Sequence, residues 1–217
     1  MSSDYTFRQA TPADIPFLVI CVLQAERVNT ASTYQQIFSL SLSETQKLIQ
    51  TIFEEDCSEQ EICASQFLVI EYAGKLIGGC SAWIEPTDLS SAHLKAQLLA
   101  FSIGNEKFQE AIPVLKLFTY CQIPRTPGSL QLESFYIDPN FRGQNIIQKL
   151  IENQIAIFTN QSCNTAEIQL TNNNIRALKA YQKCGFTQDF ESKTDDRLIP
   201  YLGANGKIRL TQKLNTV

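Results

Sequence analysis

Apolar residues in the first quarter of the chain predict a strand followed by two helices. Residues 5–8 alternate between apolar and polar side chains, which is typical of a short strand. Thr11 followed by Pro12 is a start signal for a first helix, which we expect to extend to about Asn29. Residues 43–46 supply the cap of a second helix, whose apolar side chains recur every three or four positions. The segment between the two helices has an ambiguous pattern.

The middle of the chain predicts a hairpin and then a helical segment. Residues 67–72 and 75–85 are β-rich runs that meet at Gly74, a composition typical of a hairpin. Residues 88–127 do not have the pattern of strands and instead predict two helices separated at Gly104. We interpret 88–127 as a helical insertion.

The last third of the chain alternates strands and helices. The predicted elements are a strand at 130–138, a helix at 144–158, a strand at 166–171, a helix at 175–183 and a terminal pair of strands within 187–214. This order predicts an α/β or mixed α+β fold, in which helices flank a central sheet. With 217 residues, no internal repeat and no linker, a single domain covering 1–217 is the simplest organisation.

Composition and charge exclude several classes of protein. Eighteen Lys and Arg against 22 Asp and Glu give a net charge of −4, which argues against broad nucleic-acid binding. No stretch reaches the ~20 apolar residues needed to cross a bilayer and no targeting signal is recognisable, so we expect a cytoplasmic protein with no membrane association. Seven cysteines without a C-x-x-C pair, together with the single His93, predict reduced and buried thiols, no metal site and no histidine-dependent hydrolase.

A strand, a turn and a helix mark the first candidate site. The chain from 132 to 141 has the pattern of a strand that ends at Pro139, and Arg142 with Gly143 then leads into an apolar helix. Free N–H groups at the start of such a helix, together with the helix dipole, favour an anion such as pyrophosphate. Arg-Gly turns before helices are also common without a ligand, so this window alone leaves both interpretations open.

The second candidate site is a helix between Asn174, a start signal, and Gly185, a stop signal. The chain there follows N-x-x-A-x-x-x-Y-x-x-x-G-F, from Asn174 through Ala177 and Tyr181 to Gly185 and Phe186. Together with the x-P-x-x-R-G pattern of the first window, this sequence resembles the GNAT superfamily of acyl-CoA-dependent N-acetyltransferases. The resemblance covers most of the chain, with the helical insertion as an addition.

This resemblance implies a GNAT-like mixed sheet, acetyl-CoA as co-substrate and direct transfer of an acetyl group to a primary amine of a small molecule or peptide. The residues it implies for the cofactor turn are Arg142, Gly143, Gln144, Asn145 and Ile147. It also places Asn174 and Tyr181 beside the thioester. Main-chain N–H groups near Tyr136 and Ile137 are implied to polarise the thioester carbonyl.

The chain departs from the family pattern within the phosphate turn, which is Q/R-x-x-G-x-G/A. Asn145 stands at the middle glycine and Ile147 at the final small residue. Asn tolerates a positive φ, so Asn145 is compatible with the turn, whereas the branched Ile147 narrows the approach of a pyrophosphate. Three interpretations follow: a shifted cofactor pose, a weakly binding enzyme, or a catalytically silent protein that acts as a CoA sensor or protein-interaction module.

Amine acetylation requires two proton transfers, and each has a candidate residue. Presenting an alkyl amine of pKa ~10.4 uncharged at neutral pH costs about 4 to 5 kcal/mol, and the candidate base that lowers this cost is Glu133. The alternative for Glu133 is a carboxylate on the solvated face of its strand. The leaving thiolate, with a pKa of about 8.5, needs an acid, for which Tyr181 is the candidate. The alternative for Tyr181 is packing in an apolar helix face.

The acceptor is the part of the reaction that the sequence determines least. Residues 41–61 contain six acidic side chains and one basic side chain, Lys47. If this segment walls the acceptor site, its charge suits a cationic amine such as a polyamine, an aminoglycoside or a peptide lysine. The alternative is the solvated face of an amphipathic helix. The apolar positions of 88–127 allow a cover for the acceptor pocket, an extension of the core or the face of a homodimer.

Overall fold

The computed structural model describes residues 5–158 and 163–214. Its strands are β1 (Tyr5–Gln9), β2 (Arg27–Val28), β3 (Ala31–Ser32), β4 (Phe67–Tyr72), β5 (Lys75–Ile84), β6 (Leu130–Ile137), β7 (Thr165–Thr171), β8 (Thr187–Lys193) and β9 (Gly206–Lys213). Its helices are α1 (Ile15–Ala25), α2 (Thr33–Phe38), α3 (Leu42–Glu55), α4 (Ser91–Ile103), α5 (Asn105–Phe118), α6 (Ile146–Phe158), α7 (Ile175–Lys183) and α8 (Ile199–Leu202).

Within the described ranges, seven strands form one sheet in the order β1-β4-β5-β6-β7-β9-β8. Alternate residues of each strand point to opposite faces of the sheet, and different helices cover these two faces. Phe67 and Val69 of β4 pack with α1 and α3, whereas Leu68 and Ile70 pack with α6. Further along the sheet, Tyr181 of α7 packs on the same side as α6. The predicted fold class, a mixed α/β sheet flanked by helices, is confirmed.

The strands β6 and β7 separate soon after they pair. They are parallel, whereas the other neighbouring strands of the sheet are antiparallel. Among the described residues, the β6–β7 ladder comprises two pairs, Leu130 with Ala166 and Gln131 with Glu167. Beyond these pairs, β6 continues to Ile137, and residues of both strands line one cleft. The sheet therefore opens between β6 and β7.

A β-bulge lies in β6 at the start of this opening. Gly79 of β5 pairs with Tyr136, and Ser81 pairs with Glu133, so β6 carries one extra residue opposite Cys80. Ser134 takes a positive φ of 54° at this point. Because a bulge bends its strand and redirects the residues that follow, it turns the end of β6 away from the regular ladder.

The first helix is shorter than the sequence predicts. A single 3₁₀ turn at Pro12–Asp14 leads into α1, which ends at Ala25 rather than near Asn29. The chain then reverses through Asn29, which has a φ of 56°, and the short strands β2 and β3 pair on either side of it. This left-handed residue and its hairpin end the helix, so the predicted end at Asn29 is wrong.

The cap of α3 lies two residues earlier than predicted. Ser41 Oγ accepts a hydrogen bond from the Glu44 amide, and Glu44 Oε2 accepts one from the Ser41 amide at 2.8 Å. These reciprocal bonds form a capping box, and they show that Ser41, not Ser43, is the N-cap. Ser41 precedes Glu44, and Ser43 precedes Gln46, by the three residues that a capping box requires, so the sequence pattern does not distinguish the two serines.

The helical insertion is confirmed as two helices, α4 and α5. They separate at Gly104, whose φ of 87° breaks the helical path. Leu99 and Ala111 enter the core formed with α1 and α3, and the Phe108 ring stacks on Phe38 with centroids 6.4 Å apart. One face of the insertion therefore extends the core, as one of the three interpretations predicted.

In the described part of the chain, the cysteines form no disulfide bond. All seven cysteines are free, and all are buried except Cys57 and Cys184, which are half-buried. In the part of the chain that the structure describes, no cluster of His, Cys, Asp and Glu side chains is arranged to hold a metal ion. No helix in residues 5–158 and 163–214 is both long and apolar enough to cross a bilayer.

Candidate active site

The turn between β6 and α6 has the backbone conformation of an anion cradle. Gly143 has a φ of 84° and Asn145 a φ of 57°, so Asn145 adopts the left-handed conformation that the sequence allowed. A Cβ placed on Gly143 would meet no atom within 4 Å, so the space beside the turn is open. The helix begins at Ile146, and Asn145 accepts from the Lys149 amide at 3.3 Å. The first amides of α6 therefore have no acceptor within the helix.

Two side chains brace this turn. Arg142 Nε donates a hydrogen bond to the Ile137 carbonyl at 3.0 Å, which ties the turn to the end of β6. Gln144 accepts a hydrogen bond from the Tyr5 hydroxyl of β1. Arg142 and Gln144 are exposed, as are Gly143 and Asn145. The structure thus places four of the five predicted turn residues together at the surface.

Ile147 lies in the first turn of α6 and lines the cleft. It is half-buried and packs against the two core clusters on the α6 side of the sheet. The side chain is therefore partly withdrawn into the core, and the remaining part faces the space that a pyrophosphate is predicted to occupy.

At the end of β6, one main-chain amide is directed into the opening of the sheet. The Asp138 amide donates to the Ile77 carbonyl of β5 at 2.7 Å. Because successive amides of a strand point to opposite edges, the Ile137 N–H points toward β7 and the opening. The Tyr136 carbonyl lies 2.8 Å from the Cβ position of Gly78, so the Tyr136 main chain faces β5 instead. Of the two predicted positions, Ile137 has the amide that can reach a ligand in the cleft.

The helix α7 begins where β7 ends and presents its signature residues to the cleft. Asn174 caps the helix by accepting from the Ala177 amide at 3.2 Å. Tyr181 is 6% exposed, its ring packs on Phe135 with centroids 5.3 Å apart, and it also lines the cleft. Burial raises the pKa of Tyr181 above its ordinary value. Tyr181 therefore packs in the core and also lines the cleft, so both interpretations of this residue agree with the structure.

Three exposed cations on α7 also line the cleft, and none of them was among the predicted site residues. They are Arg176, Lys179 and Lys183. Their spacing of three and four residues places them on one side of the helix. This spacing, next to the signature itself, is the signal that could have identified them as a positive rim for an anionic ligand.

On the other side of β6, Glu133 is held in a network of charged side chains. Its Oε1 accepts from Arg125 Nη2 at 2.6 Å, and its carboxyl also contacts that of Glu61. The Glu133 side chain is 18% exposed, so the alternative of a fully solvated carboxylate is wrong. Burial raises the pKa of Glu133 to about 7, with the charge of Arg125 opposing the rise and Glu61 adding to it.

Glu61 is the second carboxyl of this network. It is 2% exposed, accepts from the Tyr34 hydroxyl at 2.8 Å and pairs with Lys95 Nζ at 3.0 Å. Burial acts to raise the pKa of Glu61, but the charge of Lys95 and the hydrogen bonds from its neighbours outweigh burial and hold the pKa below its usual range. The two contacting carboxyls therefore have pKa values displaced in opposite directions, upward for Glu133 and downward for Glu61.

The other acidic residues of 41–61 lie outside the cleft. Glu44, Glu54, Glu55, Asp56 and Glu59 are exposed. The interpretation of this run as a solvated surface is thus confirmed for five of the six acids, and Glu61 is the exception. Glu61 is not distinguished from the rest of this acidic run by its pattern, although it is followed by buried residues at 62–64.

Arg125 joins the network to the start of the insertion. Its Nη1 donates to Ser91 Oγ at 3.0 Å, and its guanidinium lies over the Trp83 ring at 5.0 Å from the centroid. Ser91 Oγ in turn donates to Glu85, at 2.6 Å for the nearer oxygen. Residues near both ends of the insertion are thus fixed beside Glu133.

A single cleft of about 1430 Å³ connects these groups. It runs from the turn before α6, past the opening between β6 and β7, to the carboxyl network and the helices of the insertion. The same cavity therefore contains an anion cradle, a buried phenol and a carboxyl whose pKa lies near neutrality. This arrangement is suited to a reaction that moves two protons beside a phosphorylated cofactor.

The sheet that opens beside a helix N-terminus fits the class that the sequence resemblance implied, the acetyl-transferring enzymes, and comparison with known families identifies that class. The model of the acetyltransferase (GNAT) family matches residues 34–186, and the chain belongs to this family. Members of the family use acetyl-CoA and acetylate amines. A search among curated proteins finds no match.

Solved structures share the fold at low sequence identity. An N-acetyltransferase from Staphylococcus aureus Mu50 is 16% identical with a TM-score of 0.67, and the alignment covers 95% of this chain and 99% of that chain. An agmatine N-acetyltransferase variant in its apo form is 12% identical with a TM-score of 0.59, covering 97% and 100%. The protein yncA from Salmonella typhimurium, solved with its cofactor acetyl-CoA, is 13% identical with a TM-score of 0.55, covering 99% and 96%. At these identities the likeness concerns the fold.

Proposed function

We propose that this protein transfers an acetyl group from acetyl-CoA directly to a primary amine, with both substrates bound in the cleft at once. The observation that carries this proposal is the continuity of the cleft, which joins the open turn at Gly143 to Tyr181 and Glu133. A cofactor on one side and an acceptor on the other would meet at the opening between β6 and β7.

The residues of the turn fit a pyrophosphate ester. Gly143 leaves open space, the first amides of α6 are without intrahelical acceptors, and the dipole of α6 is positive at this end. Arg142, Gly143, Gln144, Asn145 and Ile147 would surround the pyrophosphate. Arg176, Lys179 and Lys183 would add positive charge along α7. The Ile137 amide would donate to the thioester carbonyl, and Asn174 would lie along the cofactor arm.

Acetyl-CoA supplies an acyl group activated as a thioester. The chain must then remove a proton from the attacking amine, a step that costs about 4 to 5 kcal/mol for an alkyl amine at neutral pH. Glu133 would accept this proton, directly or through water. Its pKa of about 7 matches a general base at neutral pH, because about half of the molecules are then deprotonated while proton affinity stays high.

Tyr181 would donate its phenol proton to the departing sulfur and regain a proton from solvent, to which Glu133 releases the proton of the amine. Because burial raises the pKa of Tyr181, the phenol keeps its proton in the pH range around 7 where Glu133 ionises. A protonated phenol beside a nascent thiolate, whose pKa is about 8.5, lowers the barrier for departure of the thiol. Base and acid thus lie in one cleft on opposite sides of β6.

The acceptor is proposed to be a small-molecule or peptide amine. The agmatine N-acetyltransferase among the structural neighbours acts on an amine by its name, which supports this class of acceptor. The cytoplasmic location, the organisation as one domain and a homodimer stay predictions.

Three measurements test the proposed function together. Isothermal titration calorimetry is expected to show acetyl-CoA binding at one site per chain, and thiol release with a panel of primary amines is expected to exceed the rate without enzyme. Mass spectrometry should find one acetylated amine for each free CoA. Binding without thiol release for any amine would reject catalysis, and the absence of binding would reject the cofactor site.

A further inference from the structure

The helices α4 and α5 contribute both polar and apolar surface to the acceptor half of the cleft. The inference that follows rests on the proposed function and concerns the acceptor, whose class the sequence left open. The side chains that decide this class line the cleft on the insertion side of β6.

The polar part of this surface is already internally paired. Lys95 of α4 pairs with Glu61 at 3.0 Å, and Arg125 pairs with Glu133 at 2.6 Å. Glu85 accepts from Ser91. Burial and the charge of Glu61 raise the pKa of Glu26, the fourth carboxyl in the cleft, which favours its neutral form. The network therefore offers one proton-accepting carboxyl to an amine and no surplus of negative charge for a second cation.

The rest of the acceptor half is apolar. The side chains that form this wall come from α2, α4 and α5, and they are Ile37, Phe38, Leu99, Phe108, Ile112 and Leu115. Phe108, Ile112 and Leu115 are spaced four and three residues apart, so they share one face of α5. Each of these three is only half-buried, which leaves apolar surface facing the cleft.

Cations line the remainder of the same half. Arg27, Lys116 and Lys207 also line the cleft, and the charge of Lys207 acts on Glu26 and opposes the rise of its pKa. On the cofactor side, the charged side chains of the cleft are Arg142, Arg176, Lys179 and Lys183, which are also positive. A second positive charge on an acceptor would therefore meet either an apolar wall or other cations.

We propose that the insertion forms the acceptor pocket and that the acceptor is a small primary amine whose remaining part is apolar and uncharged. The amine would reach Glu133, and the apolar part would pack on the α5 face. A polyamine or an aminoglycoside, both suited to an acidic wall, does not fit this surface.

The discriminating pair of acceptors is pentylamine and 1,5-diaminopentane, which have the same carbon chain and differ in the second ammonium. Desolvating that ammonium against an apolar wall is costly, so we expect kcat/KM at saturating acetyl-CoA to be at least about tenfold higher for pentylamine. An equal or higher kcat/KM for the diamine overturns the inference.

A substitution in the apolar wall should reduce the preference for pentylamine over 1,5-diaminopentane. Ile112→Glu places a carboxylate on the cleft face of α5, and we expect it to lower the preference for pentylamine at least about tenfold. Gln109→Glu is the matched control, because Gln109 is exposed on the same helix and does not line the cleft. If Gln109→Glu changes the preference as much as Ile112→Glu, the wall does not contact the acceptor.

A binding measurement separates this inference from the proposed function. Isothermal titration calorimetry of both amines, without acetyl-CoA, should show tighter binding of pentylamine to the wild-type chain and a smaller difference for Ile112→Glu. Tighter binding of the diamine overturns the inference whether or not acetyl transfer occurs. Absence of thiol release with both amines contradicts the proposed function, whereas preferred binding of pentylamine still supports the pocket.

Discussion

The cofactor side and the acceptor side of the cleft are built by different means. The cofactor side is formed mainly by the main chain, through the positive φ angles of Gly143 and Asn145, the first amides of α6 and the end of β6. The acceptor side is formed by side chains, namely a network of charged groups from separate segments, among them Glu61, Lys95 and Arg125, and the apolar wall of the insertion. On the cofactor side, a substitution should weaken cofactor binding only if it changes the main-chain conformation. On the acceptor side, loss of any one charge should disturb the charged network.

The largest effect is expected at Tyr181, which lies between the two sides. Tyr181→Phe removes the proton donor and keeps the packing on Phe135. We expect a loss of turnover of about 100-fold or more, with the Kd for acetyl-CoA nearly unchanged. Steady-state kinetics and calorimetry measure both quantities. Tyr72→Phe, which changes an aromatic residue outside the cleft, is the control, and equal turnover of Tyr181→Phe and wild type would exclude the acid role.

The next effect tests the main-chain character of the cofactor side. Gly143→Ala forces a side chain into the left-handed region, which costs about 1 to 2 kcal/mol, and we expect acetyl-CoA to bind about tenfold more weakly. Gly74→Ala is the matched control, because Gly74 has a φ of 75° and equally open surroundings in the β4–β5 turn. Both variants should lose similar thermal stability. If both also keep wild-type affinity for acetyl-CoA, the turn does not hold the cofactor.

The contrast between these two sides also explains what the sequence could reveal. The turn and α7 depend on residue types at fixed local spacing, so Gly143, Asn145, Asn174 and Tyr181 could be selected from the chain alone. The same is true of the order of strands and helices, because apolar periodicity is local.

Apart from Glu133, the members of the carboxyl network come from distant parts of the chain and were not predicted. Glu61 belongs by sequence to an acidic run, and its burial is decided by Lys95, 34 positions later, and by Tyr34. Propensity also failed at the end of α1, where the β2–β3 hairpin overrides a continuous apolar pattern. In each case tertiary contacts outweighed the local signal.

A smaller effect is expected on the pH dependence of turnover. Glu133 must be ionised to accept a proton, so kcat should rise with pH through about 7. The negative charge of Glu61 raises the pKa of Glu133, so Glu61→Gln should move this rise to lower pH by about one unit. The positive charge of Arg125 lowers the pKa of Glu133, so Arg125→Gln should move the rise in kcat to higher pH.

Both charge variants are compared with the same amine, whose own ionisation then cancels, and circular dichroism checks that they are folded. Removing one member of a buried pair also costs stability, by about 3 to 5 kcal/mol. Shifts of both variants in the same direction would show that Glu133 does not control the profile.

The smallest effect is expected at Ile147. Its half-buried side chain narrows the space beside the turn, so Ile147→Ala should tighten acetyl-CoA binding a few-fold, as measured by calorimetry. Ile155→Ala removes the same side chain from the same helix without touching the cleft, and its affinity should equal that of the wild type. Unchanged binding of Ile147→Ala would show that isoleucine does not crowd the cofactor.

Hydrogen–deuterium exchange with and without acetyl-CoA tests the main-chain site most directly, because the amides themselves are observed. Acetyl-CoA is predicted to protect the peptides that cover 143–148 and 135–138, while the peptide around Glu61 changes little. Protection elsewhere in the cleft, with these two segments unaffected, would contradict a cofactor held by the main chain of the turn.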